Sequence, residues 1–303
     1  MRKCGKMNIL VTGSNGFIGR NIVKELVKKD CVIGCGRKEA SQIETGGYVR
    51  WDIAGETCPD ELYDREFDII VHAAASLDKD DRKEELITTN CLGAHRIYTL
   101  AVRKHVKKVI YLSSLPVVGV PFPTPITESS EIKPITMYHA AKAAGEFILA
   151  QVEKQGIDIM NLRIPSPIGL GMPSGTIVPV FLKQALLGKA LTLPGRGTRR
   201  QNYIDVRDIA FAVRRIIGGE IPCGTYNLAS DETVSNYEMA CMCIEAANSE
   251  SEIRFSPQPD PCDGWAWDTD TSKLKNAIGS FTNHTIRESL KDIADDIKKR
   301  IEL

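Results

Sequence analysis

Tyr138 and Lys142 are the two residues of this chain whose types and spacing point most directly to chemistry. They stand four residues apart in the segment 137–151, which we predict to be a helix, so both side chains lie on one helical face. A free phenol has a pKa of about 10, and a neighbouring ammonium favours the phenolate. We therefore expect Tyr138 to be an acid/base whose pKa is lowered by Lys142. The same pair also occurs on ordinary surface helices, so the prediction depends on the surrounding elements.

A glycine-rich turn near the start of the chain is the second feature with chemical meaning. Residues 8–12 read as a buried strand, Gly13, Gly16 and Gly19 follow at once, and residues 20–29 have helical periodicity. Such a turn lets the backbone approach a pyrophosphate and directs helix N–H groups at it. The spacing is G-x-x-G-x-x-G rather than the usual dinucleotide G-x-G-x-x-G. The turn predicts a dinucleotide site, and the alternative is a turn that only packs tightly.

The glycine turn and the Tyr138/Lys142 pair together resemble the extended short-chain dehydrogenase/reductase family, which contains NAD(P)-dependent sugar epimerases and dehydratases. Further segments match this family in the expected order, so the resemblance covers nearly the whole chain. These segments are 71–75, 90–93, 111–119, 162–169, 202–208 and 225–228. The resemblance implies a Rossmann-type doubly wound parallel α/β sheet with a smaller mixed α/β substrate-binding domain.

The resemblance also assigns roles to single residues. Ser114, five residues before Gly119, occupies the position of the family's catalytic hydroxyl, and Ser113 is its neighbour. Tyr138 would exchange the substrate hydroxyl proton while a hydride moves to or from nicotinamide, and Lys142 would also hold the nicotinamide ribose. The predicted cofactor-binding residues are Gly13, Asn15, Gly16, Phe17, Ile18, Gly19, Arg37, Asp52, Ile53, Ala73, Ala74, Ala75, Asn90 and Lys142.

The end of the second predicted strand bears on the choice of cofactor. NAD-binding units usually carry an acidic residue there, which binds the adenosine ribose. Here Gly36, Arg37 and Lys38 come first, and the nearest carboxylate is Glu39. An arginine can grip a 2′-phosphate with two hydrogen bonds, so we expect NADP(H) in preference to NAD(H). A solvated basic turn is the alternative for these residues, and an ordinary cap aspartate is the alternative for Asp52.

Strands and helices alternate along the first half of the chain, which indicates a parallel sheet covered on both faces. We predict strands at 8–12, 31–35, 48–50, 68–73, 108–113 and 158–163, and helices at 17–29, 84–105 and 137–155, with a short helix at 60–66. Five prolines make 116–134 an irregular loop. Later helices are predicted at 176–188, 205–217, 236–248 and 285–300. The expected division is a cofactor domain at 1–165 and a substrate domain at 166–303, from which some segments return to the first.

The type of reaction and the substrate are less closely determined. Leu115 and Pro116 stand where family dehydratases carry an acidic pair, so an epimerase or a ketoreductase is favoured over a dehydratase. A nucleotide-diphosphate sugar is the leading substrate, although Gln201 replaces a family arginine and leaves Arg200 as a phosphate contact. Ser166 replaces an asparagine of the same region. The alternatives are a reductase of a small non-nucleotide carbonyl compound and an NADP(H)-binding sensor without turnover.

Composition limits the remaining possibilities. The 303 residues include 39 basic and 39 acidic side chains, so no net field favours nucleic acid or an anionic membrane. Nine scattered cysteines without a zinc or disulfide pattern fit a reducing, cytoplasmic location, and no metal site is expected. His72 ends a buried strand and His139 is expected on a different helical face from Tyr138, so both are given structural roles. A homodimer through the helices at 84–105 and 137–155 is expected by family analogy.

Overall fold

A computed structural model describes residues 6–77, 83–119 and 124–301 of the chain. Its centre is a seven-stranded, fully parallel sheet. The strands of this sheet are β1 (Asn8–Thr12), β2 (Cys31–Gly36), β3 (Gly47–Arg50), β4 (Ile69–His72), β5 (Lys108–Ser114), β6 (Asp158–Ile164) and the late strand β10 (Gly224–Asn227). Six of them fall at the predicted places, because strands buried on both faces read as continuous apolar runs. The predicted doubly wound α/β fold is confirmed.

The strand order explains where a ligand can bind. The order is β10-β6-β5-β4-β1-β2-β3, so the chain first moves outward from β1 and then crosses to β4 on its other side. In such sheets a crevice opens beyond the carboxyl ends of the strands where this reversal occurs. Here that place is between Thr12, the last residue of β1, and His72, the last residue of β4.

Helices cover both faces of the large sheet. They are α1 (Phe17–Leu26), α2 (Asp60–Tyr63), α3 (Lys83–Ile87), α4 (Gly93–Lys104), α5 (Met137–Ala150), α7 (Val206–Gly218) and α9 (Ser272–Ile278). The predicted helix 84–105 is divided by a π-helical turn at Thr88–Leu92, and the predicted helix 137–155 ends in a 3-10 turn at Gln151–Gln155. Apolar side chains of α1 and α7 pack on one sheet face, and those of α4 and α5 pack on the other. The predicted loop 116–134 begins with a 3-10 turn at Leu115–Val118, and its residues 120–123 lie outside the described ranges.

A second layer of structure lies over the carboxyl edge of the sheet. It contains the helices α6 (Ile177–Leu186), α8 (Asn236–Ala246) and α10 (Ile286–Ile301), which share one apolar core. Its strands are β7 (Ser166–Ile168), β8 (Leu191–Leu193), β9 (Arg200–Asp205), β11 (Thr233–Ser235), β12 (Ile253–Phe255) and β13 (Ala266–Trp267). The division at residue 165 stays a prediction, and β10 and α7, which follow it, pack with the large sheet.

Neither a membrane-spanning helix nor a cluster of metal ligands is found in residues 6–77, 83–119 and 124–301. Among the helices in these ranges, none is both long enough and apolar enough to cross a bilayer. Within the same ranges, no three His, Cys, Asp or Glu side chains converge as metal ligands would.

Candidate active site

The glycine turn has the geometry that a bound pyrophosphate needs. Gly13 adopts a φ of +65°, and a Cβ there would lie 2.7 Å from backbone atoms of Ala74. A Cβ at Gly19 would overlap the carbonyl of Gly13. Helix α1 begins at Phe17, and no side chain caps it at Gly16, so its first N–H groups are available to an anion. The glycines at 13 and 19 are therefore required by close backbone approach.

A pocket of about 250 Å³ opens beside this turn, at the carboxyl ends of β1, β2 and β4. Nine of the predicted cofactor residues line it: Gly13, Asn15, Gly16, Arg37, Asp52, Ile53, Ala73, Ala74 and Ala75. Asp52 also accepts a hydrogen bond from the N–H of Ala54 at 3.1 Å, so it closes a local turn as well. The residues and their place in the fold fit the adenosine half of a dinucleotide.

Arg37 lines this pocket but already has an acidic partner. Its Nη1 lies 2.9 Å from Oε1 of Glu85 in α3. The side chain of Arg37 is 66% exposed, and an exposed ion pair contributes only about 0–1 kcal/mol. The pair therefore holds Arg37 weakly, while it also brings a carboxylate close to the pocket.

Asn90 was predicted to bind the cofactor, but its side chain is committed elsewhere. It lies buried in the π-helical turn, where its Nδ2 donates to the carbonyl of Ser76 at 2.9 Å. Its Oδ1 accepts from the N–H of Ser76 at 3.0 Å. Asn90 thus braces the segment after β4 that forms the pocket wall.

A second, larger cleft of about 490 Å³ contains the predicted catalytic residues. Gly16, Ala73 and Ala75 line both spaces, so the two form one continuous groove over the sheet edge. The predicted residues that line the larger cleft are Gly16, Phe17, Ile18, Gly19, Ala73, Ala75, Ser114, Tyr138, Lys142, Ser166 and Gln201. The fold therefore brings the cofactor, catalytic and substrate predictions to one site.

The two serines at the end of β5 differ in their partners. Ser113 donates from Oγ to Oε1 of Glu146 at 2.5 Å, and both side chains are buried. Within the described ranges the Ser114 hydroxyl makes no hydrogen bond, and Ser114 lines the cleft. Ser114 is thus the hydroxyl that is available to a substrate, as the family position implies.

Lys142 is buried under the cleft and directed at the sheet. Its Nζ donates to the carbonyl of Leu112 at 2.7 Å and lies 4.7 Å from the centre of the Tyr111 ring. Burial lowers the pKa of Lys142 to about 7, although the nearby Glu146 acts in the opposite direction. Burial also raises the pKa of Tyr138 to about 12. Desolvation thus acts against the expected lowering of the Tyr138 pKa by Lys142, which stays a prediction.

A buried ion pair lies directly behind these residues. Arg163 of β6 donates from Nε and Nη2 to the two carboxylate oxygens of Glu146, at 3.0 and 2.8 Å. Glu146 follows Lys142 by one helical turn, and its carboxylate also accepts from Ser113. The pair therefore ties α5, which carries Tyr138 and Lys142, to the two strands beneath it.

The substrate end of the cleft differs from the prediction at one position. Side chains alternate along β9, so Gln201 and Tyr203 line the cleft while Arg200 turns away. Arg200 pairs with Glu238 at 2.9 Å and donates to the carbonyl of Thr233. The structure does not bring Arg200 to the cleft.

Arg199 lines the cleft instead, and the sequence prediction missed it. Its Nη2 donates to Gln201 at 3.1 Å, and its guanidinium lies 5.2 Å from the centre of the Trp267 ring. Its buried Nε has no partner among the described residues. The period of two that joins Arg199 to Gln201 and Tyr203 is the sequence signal that could have found it.

The start of α6 forms the wall near Arg199. Thr176, Ile177 and Val178 line the cleft, and Thr176 precedes the helix without capping it. Its Oγ1 donates to the carbonyl of Pro173 at 2.8 Å instead. The free N–H groups and the positive end of the helix dipole favour an anion here.

The two histidines have different positions. His72 is fully buried, with Nδ1 2.7 Å from the Thr12 hydroxyl, and its ring stacks on Tyr111. Burial lowers its pKa to about 3, which agrees with a structural role. His139 was expected on a different face from Tyr138, but both residues line the cleft, which surrounds the first turn of α5.

The geometry of the site can be compared with known proteins. A family model described as the NAD dependent epimerase/dehydratase family matches residues 9–229, which is more than half of the 303 residues. The chain belongs to the NAD-dependent epimerase/dehydratase family. The resemblance seen in the sequence is thereby confirmed.

Individual relatives of this family agree with that assignment. The chain is 27% identical to UDP-glucuronic acid decarboxylase 6 of Arabidopsis thaliana, over 97% of this chain and 90% of that protein. The structure of UDP-glucose 4-epimerase from Thermotoga maritima superposes with a TM-score of 0.88 at 21% identity, covering 97% of this chain and 100% of that one. UDP-glucuronic acid 4-epimerase from Bacillus cereus, in complex with NAD, gives 0.86 at 21% identity, covering 97% and 99%. At this identity the two structures show the shared fold.

Proposed function

We propose that this member of the NAD-dependent epimerase/dehydratase family is an epimerase or a ketoreductase of a nucleotide-diphosphate sugar. The observation that carries the proposal is the common cleft of Ser114, Tyr138 and Lys142, which continues into the pocket beside the glycine turn. That turn leaves no room for Cβ atoms and ends on an uncapped helix, so the residues fit a dinucleotide. Similar proteins include a UDP-glucuronic acid decarboxylase, a dTDP-glucose 4,6-dehydratase and a UDP-glucose 4-epimerase.

The proposed mechanism assigns one task to each residue. A bound nicotinamide cofactor would supply the hydride transfer from or to the sugar carbon. Ser114 donates its hydroxyl hydrogen to the reacting oxygen. Tyr138, whose pKa of about 12 keeps it protonated at neutral pH, gives its proton to that oxygen when a keto group is reduced. In the oxidising direction Tyr138 must take the proton, and the task of Lys142 is to favour the phenolate by its positive charge.

Dehydration is disfavoured by the residues that follow Ser114. Leu115 is fully buried, and Pro116 lines the cleft without a group that can move a proton. Elimination of water needs an additional acid and base at the substrate. Epimerisation and keto reduction need only the groups described above.

Replacement of Tyr138 by phenylalanine tests this mechanism. The variant should bind the cofactor with unchanged affinity and lose turnover of UDP-glucose or UDP-glucuronic acid. Turnover is measured by product analysis and by nicotinamide absorbance. Unchanged turnover would contradict the mechanism. A wild-type protein that binds the cofactor but turns over no sugar nucleotide would favour the alternative of a sensor. Reduction of small carbonyl compounds alone would favour the alternative reductase.

For substrate binding, we propose Arg199 rather than Arg200 as the contact to the diphosphate. Arg199 lines the same cleft as the start of α6, whereas Arg200 is paired with Glu238. A hydrogen bond to a charged group contributes about 1.5–3 kcal/mol. Arg199→Met should therefore raise KM by roughly 10- to 100-fold, since 1.4 kcal/mol is tenfold. The matched variant Arg200→Met should change KM little, and equal effects of the two would contradict the assignment.

Different observations favour NADP(H) and NAD(H) as the cofactor. We propose NADP(H), since Gly36 offers no carboxylate and both Arg37 and Lys38 line the adenosine pocket. NAD(H) is favoured by Glu85, which pairs with Arg37 and would repel a 2′-phosphate. Arg37→Ala should weaken NADPH binding with no effect on NADH, and Glu85→Gln should strengthen NADPH binding, both measured by fluorescence titration. Preferential binding of NADH by the wild type would contradict the proposal.

We also propose that the protein forms a homodimer through the outer faces of α4 and α5. Phe147 of α5 is 62% exposed, and Leu92, directly before α4, is 40% exposed. Large exposed apolar groups on adjacent helices are typical of interaction surfaces. The cytoplasmic location inferred from cysteine usage stays a prediction.

A further inference from the structure

His139 is a polar group of the cleft to which the proposed mechanism gives no role. It is the third residue of α5 and lines the cleft next to Tyr138. The two rings meet edge to face, with their centres 5.3 Å apart and a 65° angle between their planes. A substrate that reaches Tyr138 in the cleft therefore enters a space that His139 also lines.

Thr136, the residue before α5, holds the ring of His139 through its Nδ1 atom. Its Oγ1 accepts from the backbone N–H of His139 at 3.2 Å and lies 2.8 Å from Nδ1 of the same residue. In one tautomer of the ring the hydroxyl donates to Nδ1 and the ring hydrogen lies on Nε2, whereas in the other Nδ1–H donates to the hydroxyl oxygen. In the described part of the chain Nε2 has no hydrogen-bond partner, and it is free to meet a ligand.

The charge state of His139 distinguishes a donor from a base. Burial lowers the pKa of its imidazole to about 4, so the ring is neutral at pH 7. A group with so low a pKa is a weak base near neutrality. A neutral imidazole that presents its N–H into a site can, however, bind or polarise an oxygen.

We propose that His139 is a substrate-contacting residue, which donates its Nε2 hydrogen to the sugar oxygen next to the one that reacts at Tyr138. This inference rests on the proposed function. The contact fixes the rotation of the sugar ring in the cleft, and it therefore selects which carbon faces Ser114 and Tyr138. The Oγ1 atom of Thr136 both caps α5 and contacts the His139 ring. The position of the substrate contact is therefore fixed relative to the first turn of the helix.

The tautomer can be tested without any substrate. Long-range ¹H–¹⁵N spectra of the full-length protein report the state of each histidine ring, and the signals lost in His139→Gln identify His139. We expect a neutral ring with hydrogen on Nε2 between pH 5 and 8. Thr136→Val should mix the tautomers, and Thr136→Ser should restore the single form. Hydrogen on Nδ1, or a charged ring at pH 7, would overturn the inference.

The substrate contact is tested by kinetics with UDP-glucose, UDP-glucuronic acid and monodeoxy analogues of UDP-glucose. A neutral hydrogen bond contributes about 0.5–1.5 kcal/mol, so His139→Phe should lower kcat/KM by roughly 3- to 10-fold. Cofactor affinity should stay unchanged, and His139→Gln should recover part of the loss, since glutamine can donate. On the one analogue that lacks the contacted hydroxyl, wild type and His139→Phe should have equal kcat/KM.

Three outcomes would overturn the inference, and they are distinguishable from one another. If the wild type turns over a sugar nucleotide and His139→Phe does so equally well, only the role of His139 is wrong. If His139→Phe loses the same factor on every deoxy analogue, the residue acts on the fold of the cleft rather than on one oxygen. If the wild type binds NAD(P)H but neither binds nor converts any of these sugar nucleotides, the proposed function fails and the contact fails with it.

Discussion

Replacement of Glu146 by glutamine is the most informative perturbation of this structure outside the cleft. Glu146 accepts hydrogen bonds from Arg163 at 3.0 and 2.8 Å and from Ser113 at 2.5 Å, and all three side chains are at most 5% exposed. The substitution keeps the shape but leaves the Arg163 guanidinium buried without a counter-charge. Removal of one partner of a buried ion pair costs about 3–5 kcal/mol. We expect a loss of this size in the free energy of unfolding.

Equilibrium urea denaturation followed by circular dichroism measures this loss. The control is Glu252→Gln, which breaks a pair with Arg254 of similar length, 3.0 Å, whose side chains are 72% and 68% exposed. Exposed pairs contribute little, so the control should be nearly as stable as the wild type. Because the penalty comes from the unpaired charge, Arg163→Met combined with Glu146→Gln should recover much of the stability.

Two results would refute this reasoning. If Glu146→Gln were as stable as Glu252→Gln, leaving the buried Arg163 charge unpaired would not lower the free energy of unfolding as expected. If the double variant were no more stable than Glu146→Gln, the loss would come from packing rather than from charge. The substitution also removes the negative charge that partly opposes the desolvation of Lys142, so the pKa of Lys142 should fall further.

Further predictions concern the same helix and its outer face. Burial lowers the pKa of Lys142 from 10.5 to about 7, so between these values the unfolded chain holds a proton that the native protein has released. As the pH rises through this range, the free energy of unfolding of the wild type should increase by about 1.4 kcal/mol per pH unit relative to that of Lys142→Met, measured by denaturation. A difference between the two proteins that does not change with pH would contradict the lowered pKa. Gly145→Ala should destabilise the protein, because the new methyl group would overlap the hydroxyl of Tyr111, and Tyr111→Phe in the same chain should relieve part of the loss in a thermal melt. Phe147→Asp should dissociate the proposed homodimer in sedimentation experiments, whereas Phe255→Asp, at another exposed phenylalanine, should not; a monomeric wild type would contradict the dimer.

Local features of the site were predictable because they depend on short stretches of chain. The turn from β1 to α1 needs glycine at 13 because of its positive φ, and at 19 because the carbonyl of Gly13 fills the space where a Cβ would lie. The four-residue spacing of Tyr138 and Lys142 on a helix places both beside the same strand. Strands β1, β2 and β4 were predictable for a similar reason, because each contains a short apolar run between turns.

Other features depended on partners that are distant in sequence. Positions 199 and 200 are both arginine, so the residue type does not distinguish them. The register of β9 with its neighbours decides that Arg199 enters the cleft while Arg200 pairs with Glu238. Asn90 was matched to a cofactor position, but Ser76, 14 residues away, takes both of its polar groups. The lowered pKa of Lys142 likewise follows from burial, which no spacing of residues reveals.

The sequence by itself determined the family, the parallel α/β fold and the order of the chemical groups along the chain, because glycine turns, apolar runs and helical spacing act over a few residues. The tertiary structure alone decided which partner Ser113 binds, which arginine faces the cleft and that His139 lines the cleft together with Tyr138. These outcomes depend on contacts between elements, where burial and the choice of hydrogen-bond partner set the state of each group. Local pattern therefore predicts the chemistry that is possible, and packing selects the residues that carry it.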